Sequence, residues 1–153
     1  MRLVTLASLS LTGVIPALWL HAADSVTERL NYTVEWRLIH AGNAVVESGP
    51  TSAVLKLESA GLVSTLYKVQ DIYRVRFDTA FCAGSSLMDS REGSRHRETS
   101  INFDRNRNRA YLTEKDLLKN SIVSRTDVQT PNCVHEVLSV SYTHLTLPTN
   151  REV

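Results

Sequence analysis

Apolar and polar residues alternate most clearly over residues 30–38, whose sequence is LNYTVEWRL. Aromatic and β-branched side chains at every second position are typical of a β-strand that buries one face. Tyr32 and Trp36 fall on the expected buried face, and the charged residues fall on the other. A turn is predicted at residues 41–43, Ala-Gly-Asn, so this strand is expected to begin an antiparallel meander.

Similar alternation predicts six further strands, over residues 44–48, 53–59, 69–78, 87–92, 95–103 and 109–113. Residues 49–52, Gly-Pro-Thr-Ser, break the chain, and residues 80–86 are interpreted as a loop or an edge. The pair Glu92-Gly93 is expected in a hairpin turn. Residues 104–108, DRNRN, form a second polar turn.

Other stretches are less regular. Residues 60–67 fit either a short helix or a continued strand, and residues 114–130 carry only a weak pattern. Asp71 would fall on the apolar face of its strand, which indicates a bulge or a position at the rim. Pro131 is expected to open a helix. One face of that helix would carry Val134, Val137 and Leu138.

The pattern as a whole predicts a mainly β fold. The expected architecture is a curved antiparallel sheet or incomplete β-barrel with one or two short helices. The 153 residues, 42% of them apolar and 22% charged, suit a single globular domain, which we place at residues 24–140. Such a sheet has few helices to cover it, so part of one face is expected to be hidden by a barrel closure or by a ligand.

Residues 1–23 are typical of an export signal. Arg2 supplies a positive start, residues 3–20 carry no charge, and Ala22-Ala23 offer small residues before Asp24. The alternative is an uncleaved membrane anchor, because 18 uncharged residues approach the length of a short span. The chain is therefore expected to be exported.

The charge balance argues against a nucleic-acid partner. The chain has 17 basic and 16 acidic residues, so no net charge draws it to polyanions. Residues 91–109 are rich in arginine and could form a patch for RNA or anionic lipid. Interleaved acids favour a solvated hairpin with cross-strand ion pairs instead. Membrane association is expected only through an uncleaved leader.

The two cysteines, Cys82 and Cys133, both follow the leader. In an exported protein they are expected to form a disulfide, which would tie the loop at residues 80–86 to the start of the predicted helix. The alternative is a pair of buried free thiols.

No motif for catalysis or metal binding stands out. Cys133 and His135 form a C-x-H pair, but zinc needs three or four ligands and no second pair is visible. No nucleophile elbow and no glycine-rich phosphate loop is present. We therefore expect no metal, no cofactor and no enzymatic activity.

Aromatic residues supply the candidate binding site. Those on apolar strand positions are core residues by default, but in an incompletely covered sheet they could line a cavity for an acyl chain or another apolar ligand. The candidate lining residues are Tyr32, Trp36, Tyr73 and Phe77.

Several segments resemble exported bacterial proteins of domain-of-unknown-function family 3108. The segments are ERLNYTVEWRLIHAGNAVVE, EGSRHRETSINFDRNRNRA, the following YLTEKD, and CVHEVLSV. The resemblance implies a β-rich fold similar to the curved, incompletely closed barrels of periplasmic lipoprotein carriers. It also implies a role in the periplasm or cell envelope of a bacterium. It implies no catalytic residue. Hydrophobic ligand binding is expected only by analogy with the lipoprotein carriers.

Residues 141–153 do not resemble the continuation expected in that family. They resemble translated sequencing-adaptor read-through at the end of an assembled metagenomic gene. Pro148 and the nearby threonines are also poor helix formers. We therefore expect a non-native tail after residue 140, a domain truncated at its C-terminus, and an unpaired sheet edge.

These observations predict a non-enzymatic envelope protein whose sheet binds an apolar ligand or lipid. A structural or assembly module that binds a protein partner through a sheet edge is one alternative. An enzyme of a class without a visible motif is the other.

Overall fold

The computed structural model describes residues 28–140. The predicted leader at 1–23 and the predicted tail at 141–153 lie outside these residues. The described part forms an eight-stranded antiparallel sheet in which every strand pairs with its neighbours in sequence. The first and last strands are not paired with each other, so the sheet is open. The predicted fold class is confirmed.

The strands run in chain order across the sheet. Their bounds are β1 Glu28–Trp36, β2 Ile39–Ser48, β3 Ser52–Ser59, β4 Val69–Phe77, β5 Ala83–Glu92, β6 Arg95–Asp104, β7 Arg109–Asp116 and β8 Ser121–Gln129. A short helix, α1 Gly61–Leu66, connects β3 to β4. Residues 137–140 are again helical. No helix among the residues that the structure describes is long and apolar enough to cross a membrane.

The connections fall at two ends of the sheet, because consecutive strands are antiparallel. The α1 end carries the turns at residues 37–38, 93–94 and 117–120 together with the 60–68 connection that contains α1. The disulfide end carries the connections at residues 49–51, 78–82 and 105–108 and the chain that follows β8.

The first turn was predicted in the wrong place. It lies at Arg37 and Leu38, which both have positive φ, 51° and 67°, as the central residues of a type I′ turn do. Gly42, the presumed turn residue, lies inside β2. A Cβ there would lie 2.5 Å from the carbonyl oxygen of Glu58. Gly42 therefore serves the close approach of β2 to β3 rather than a turn.

The weakly patterned residues 114–130, for which no element was predicted, contain β8, an exposed edge strand whose pairing with β7 does not depend on a buried face. The predicted start of a helix at Pro131 was wrong. Residues 131–136 are irregular rather than helical, because their contacts are with the β4–β5 loop. Of the two alternatives predicted at Asp71, the bulge is absent, and the residue lies near the start of β4, toward the rim of the sheet. Its carboxylate accepts a hydrogen bond from the backbone N–H of Arg91 at 3.1 Å, and the bulge in β4 lies between Arg76 and Phe77.

Candidate ligand-binding face

One face of the sheet is apolar and the other is charged. In the strand register, Val46, Leu55, Tyr73 and Met88 lie side by side on four neighbouring strands, and Leu30 extends the row to β1. This surface is called the apolar face below. Ten further apolar side chains lie on this face: Tyr32, Val34, Ala44, Ala53, Leu57, Val75, Ile101, Phe103, Ala110 and Leu112. Toward the α1 end the face also carries polar groups, among them Asp71, Arg97 and Glu114.

The C-terminal segment, residues 131–140, covers the part of the apolar face at the disulfide end. Leu138 is buried there against Ala53, Val75 and Phe77. Leu55, Tyr73 and Phe81 are partly buried and pack around this cluster. The hydrophobic core of the described residues is therefore small and lies at one end of the sheet.

A disulfide between Cys82 and Cys133 attaches the C-terminal segment to the β4–β5 loop, with the two Cα atoms 4.9 Å apart. The backbone N–H of Ala83 donates to the carbonyl of Val134 at 2.7 Å. The Nδ1 atom of His135 lies 3.1 Å from the carbonyl oxygen of Phe81. The predicted cysteine pairing is thus present, and it is reinforced by two hydrogen bonds.

Tyr73 and Glu136 make the polar contact between the sheet and the segment. The Tyr73 hydroxyl donates to a carboxylate oxygen of Glu136 at 2.5 Å. Burial of the phenol, followed by its bond to Glu136, raises the pKa of Tyr73 to about 12. The hydroxyl therefore stays protonated, and remains a donor, across the physiological pH range.

Arg105 holds the β4–β5 loop from the next connection at the disulfide end. It donates to a carboxylate oxygen of Asp78 and to the carbonyl oxygen of Cys82, both at 2.6 Å. Asp78 also accepts hydrogen bonds from the backbone N–H groups of Ala80 and Cys82. The bond from Arg105, with these backbone bonds, lowers the pKa of Asp78 below its ordinary value of 3.8.

The apolar face is less well covered toward the α1 end. Tyr32 and Val34 are exposed there, and Leu57 and Met88 are only half-buried. A depression of about 200 Å³ at this end is lined by Met88, Ser90, Glu92, Arg95, Arg97 and Thr99. A ligand on the uncovered part would meet apolar side chains first and charged ones at the rim.

The charged face carries a larger cavity of about 280 Å³, but it is a poor candidate for an apolar ligand. Its lining combines six polar or charged residues with two apolar ones: Lys56, Glu58, Gln70, Asp71, Asp89, Arg91, Leu57 and Ile72. Lys56 is paired with Glu47 at 2.9 Å. The size of this cavity reflects gaps between long charged side chains on a solvated face.

The structure places the four predicted lining residues in different environments. Phe77 is buried in the core, and Tyr73 lies beside it with its hydroxyl bound to Glu136. Tyr32 lies on the less covered part of the apolar face. Trp36 is exposed at the β1–β2 turn, with the guanidinium of Arg37 5.0 Å from its ring centroid. Ligand lining by these residues remains a prediction.

Sequence reasoning missed two contributors. Met88 is half-buried on the apolar face, in register with Tyr73. It lay within a predicted strand, but Leu87 beside it is also apolar, so the sequence did not indicate which of the two side chains lies on the apolar face. Glu136 contacts Tyr73 from 63 residues away, and no local pattern could have indicated that contact.

The C-x-H pair considered for metal binding has other partners. Cys133 is bonded to Cys82, and Nδ1 of His135 lies 3.1 Å from the carbonyl oxygen of Phe81. Among residues 28–140, no group of three or more His, Cys, Asp or Glu side chains is placed to hold a metal ion.

The arginine-rich run at 91–109 forms the cross-strand ion pairs that were expected. Arg97 pairs with Glu114, and Arg109 pairs with Asp127. Both pairs join neighbouring strands, so these arginines are satisfied by carboxylates of this chain.

The family model described as "Protein of unknown function (DUF3108)" matches residues 31–153. The matched range takes in nearly the whole described sheet, together with residues 141–153, whose non-native origin remains a prediction. No curated protein and no solved structure matches this chain.

Proposed function

Because this chain belongs to the DUF3108 family of proteins of unknown function, we propose its role from its own geometry. The protein is an exported envelope protein that binds an apolar ligand, such as an acyl chain, on the apolar face of its sheet. The role is non-catalytic and uses no cofactor.

The incompletely covered apolar face is the observation that carries this proposal. Leu138 and the disulfide-linked segment cover one part of it, whereas Tyr32, Leu57 and Met88 lie outside the buried core. Sites for apolar ligands are lined mainly by such side chains, with few polar groups. A bound acyl chain would remove these side chains from water and gain about 25 cal/mol per Å² of apolar area.

The disulfide supports the exported location. Cys82 and Cys133 are paired, and such pairs persist in oxidising compartments rather than in the cytosol. The apolar sequence of residues 3–20 supports the same location. Cell fractionation and mass measurement of the N-terminus test it. Recovery from the cytosol with both thiols reduced would contradict it.

A pair of variants on opposite faces of adjacent strands tests ligand binding. Leu57→Asn places a polar amide on the apolar face, whereas Ile72→Asn places one on the charged face. Losing the burial of one leucine costs about 2 kcal/mol. We therefore expect Leu57→Asn to weaken binding of a dansyl-labelled fatty acid about thirtyfold, and Ile72→Asn to leave it unchanged.

Native mass spectrometry of protein recovered from producing cells provides a second measurement. Adducts with the mass of a lipid or fatty acid are expected on the wild type and should be depleted on Leu57→Asn. If the wild type carries no adduct and shows no titratable fatty-acid binding, the proposal fails.

Binding of a protein partner through a sheet edge is the second candidate. The observation that favours it is the open sheet order, in which β1 and β8 each pair on one side only within residues 28–140. Val128 and Val123 are also exposed on β8. Unpaired edges accept an added strand. Thr126→Pro should abolish partner recovery by cross-linking in cells, and an unchanged cross-linking pattern would exclude this edge.

A further inference from the structure

The charges that β1–β4 place on the apolar face are of one sign. In the strand register, Glu28 lies on the same face as the apolar side chains of β1, and Asp71 lies on the same face as those of β4. The basic residues of these four strands all lie on the charged face: Arg29, Lys56, Arg74 and Arg76. A ligand on this part of the sheet therefore meets carboxylates, and no basic side chain of β1–β4, around the apolar residues.

The C-terminal segment adds a third carboxylate to this face. Glu136 is the only acid in residues 131–140, which contain no lysine or arginine. It is half-buried against Tyr73. Within residues 28–140, none of Glu28, Asp71 and Glu136 takes part in an ion pair. A cation brought to the half-buried Glu136 would be attracted more strongly than in water, because the surrounding apolar groups lower the local dielectric constant.

The carboxylate of Glu136 is held in place by one oxygen and leaves the other open. Oε2 accepts hydrogen bonds from the Tyr73 hydroxyl at 2.5 Å and from the backbone N–H of Val137 at 3.1 Å. Oε1 accepts no hydrogen bond within residues 28–140. In this part of the chain no side-chain oxygen is both buried and without a partner, so Oε1 is open to solvent. Glu136 is therefore a positioned acceptor with one free oxygen.

A row of aliphatic side chains leads away from this acceptor. Leu55, Val46 and Leu30 continue the position of Tyr73 across β3, β2 and β1, and all three are half-buried. Neighbouring strands are about 4.8 Å apart, so the row extends roughly 14 Å from Tyr73. The face therefore offers an apolar track with a carboxylate at one end.

We propose that the ligand of the apolar face is a single-chain amphiphile with an ammonium head group, and that Glu136 binds this head. The ammonium group donates to Oε1, and the alkyl chain lies along Leu55 and Val46. Hydrogen bonds between opposite charges are stronger than neutral ones, and a carboxylate or phosphate head would be repelled by Glu136 and Asp71. The inference rests on the proposed function, because the chain occupies the same face. A fatty acid still binds through its chain, but more weakly.

Calorimetric titration with three compounds of the same chain length tests the proposal. The full-length protein, freed of bound lipid, is titrated with dodecylammonium, dodecanol and dodecanoate below their micelle concentrations. At pH 7 the amine is protonated and the acid is ionised. We expect the ammonium compound to bind about tenfold more tightly than the alcohol, and the carboxylate to bind more weakly than the alcohol. High salt should reduce both differences.

A matched pair of variants separates the head group from the net charge. Glu136→Gln removes the charge but keeps an oxygen that can accept from the Tyr73 hydroxyl. It should lower the affinity for dodecylammonium about tenfold and leave that for dodecanol unchanged. Glu58 is exposed on the charged face and forms no ion pair within residues 28–140. Glu58→Gln should therefore leave all three affinities unchanged.

Two further variants distinguish failure of this proposal from failure of chain binding. Glu136→Lys should reverse the order, so that dodecanoate binds more tightly than dodecylammonium. Leu57→Asn should weaken all three compounds alike, because it acts on the chain. Equal affinity of the wild type for the three compounds would overturn the role of Glu136 and leave chain binding intact. Equal losses in Glu136→Gln and Glu58→Gln would also overturn it. If none of the compounds binds, both this proposal and the proposed function fail.

Discussion

The two ends of the sheet differ in how their connections are held. At the disulfide end, a covalent bond, the paired side chains Arg105 and Asp78 and the buried Leu138 fix the loops to one another. At the α1 end, backbone hydrogen bonds join the connections, and the large side chains such as Leu38 and Leu66 face outward.

This difference indicates that the contributions to stability are separated between the ends, with most of them at the disulfide end. Substitutions at the disulfide end should mainly change the free energy of unfolding. Substitutions of exposed groups at the α1 end should leave it unchanged or raise it, because few of those side chains contribute to the core. The following predictions test this separation, from the largest expected effect to the smallest.

Removal of the disulfide should have the largest effect. Cys82 and Cys133 are separated by 51 residues. In the chain-entropy model, a disulfide that closes a loop of this length raises the free energy of unfolding by about 4 kcal/mol. The double variant Cys82→Ser/Cys133→Ser should lose this amount in denaturant unfolding, and reductant should have the same effect on the wild type. A loss below about 1 kcal/mol would mean that the noncovalent contacts hold the segment without the bond.

Shortening Leu138 should have the next largest effect. Leu138→Ala removes a buried side chain from the core and should cost about 3 kcal/mol. Leu66→Ala at the α1 end removes the same atoms from an exposed position, and we expect a change within about 0.5 kcal/mol. The free energy of unfolding is measured by denaturant titration. Equal losses in the two variants would show that the two ends of the sheet contribute equally to stability.

Loss of the Arg105 contacts should have a smaller, pH-dependent effect. Arg105→Met removes the bonds to Asp78 and to the Cys82 carbonyl, and it should lower Tm by about 3 °C at pH 7. The pKa of Asp78 lies below its ordinary value of 3.8 in the folded protein. Its ionised form therefore stabilises the fold above pH 3.8, and this contribution is lost as the pH falls through the lower folded pKa.

The Tm difference between the wild type and Arg105→Met should therefore be constant between pH 7 and 5 and shrink below pH 3.8. Lys115→Met provides the control, because its pair with Glu98 is exposed and lies away from the β4–β5 loop. A difference that grows on acidification would contradict the assigned role of Asp78.

Replacing the first turn should give a small gain. Arg37→Asn with Leu38→Gly places the residues that type I′ turns favour at two positions of positive φ. The free energy of unfolding should rise by about 1 kcal/mol as the backbone strain is relieved. Ser94→Asn, in the turn after Gly93, is a control that should change little. A loss of stability in the turn variant would show that Leu38 contributes to folding.

Much of the fold was predictable because alternation along a strand reports a buried face. Residues 30–38 and the neighbours of Tyr73 gave clear patterns, and both lie in strands except for Arg37 and Leu38, which form the turn. The strand β8 was missed because it is exposed at the edge, so no alternation marks it. The turn at Arg37-Leu38 was missed because neither residue is a usual turn former. The turn was predicted around Gly42 instead, because glycine is common in turns.

The candidate site was less predictable, because it depends on contacts between distant residues. Tyr73 and Phe77 were correctly placed on apolar strand positions, but alternation cannot tell which part of a face is covered. That depends on Leu138 and Glu136, in a segment expected to be a regular helix. The two cysteines indicated that the C-terminal segment is bonded to the β4–β5 loop. They did not indicate that residues 131–136 would be irregular as a result.

The pairing of every strand with its neighbour in sequence has a consequence for the order of folding. The sheet can assemble hairpin by hairpin without closing a long loop. The disulfide and the Tyr73–Glu136 bond span 51 and 63 residues, so they are slower to form. During synthesis, Cys82 emerges well before Cys133, and its thiol would remain reduced until most of the sheet has formed. During oxidative refolding, pulsed alkylation should find both thiols still reactive after the circular-dichroism signal of the sheet has appeared. Formation of the disulfide before that signal would contradict this order.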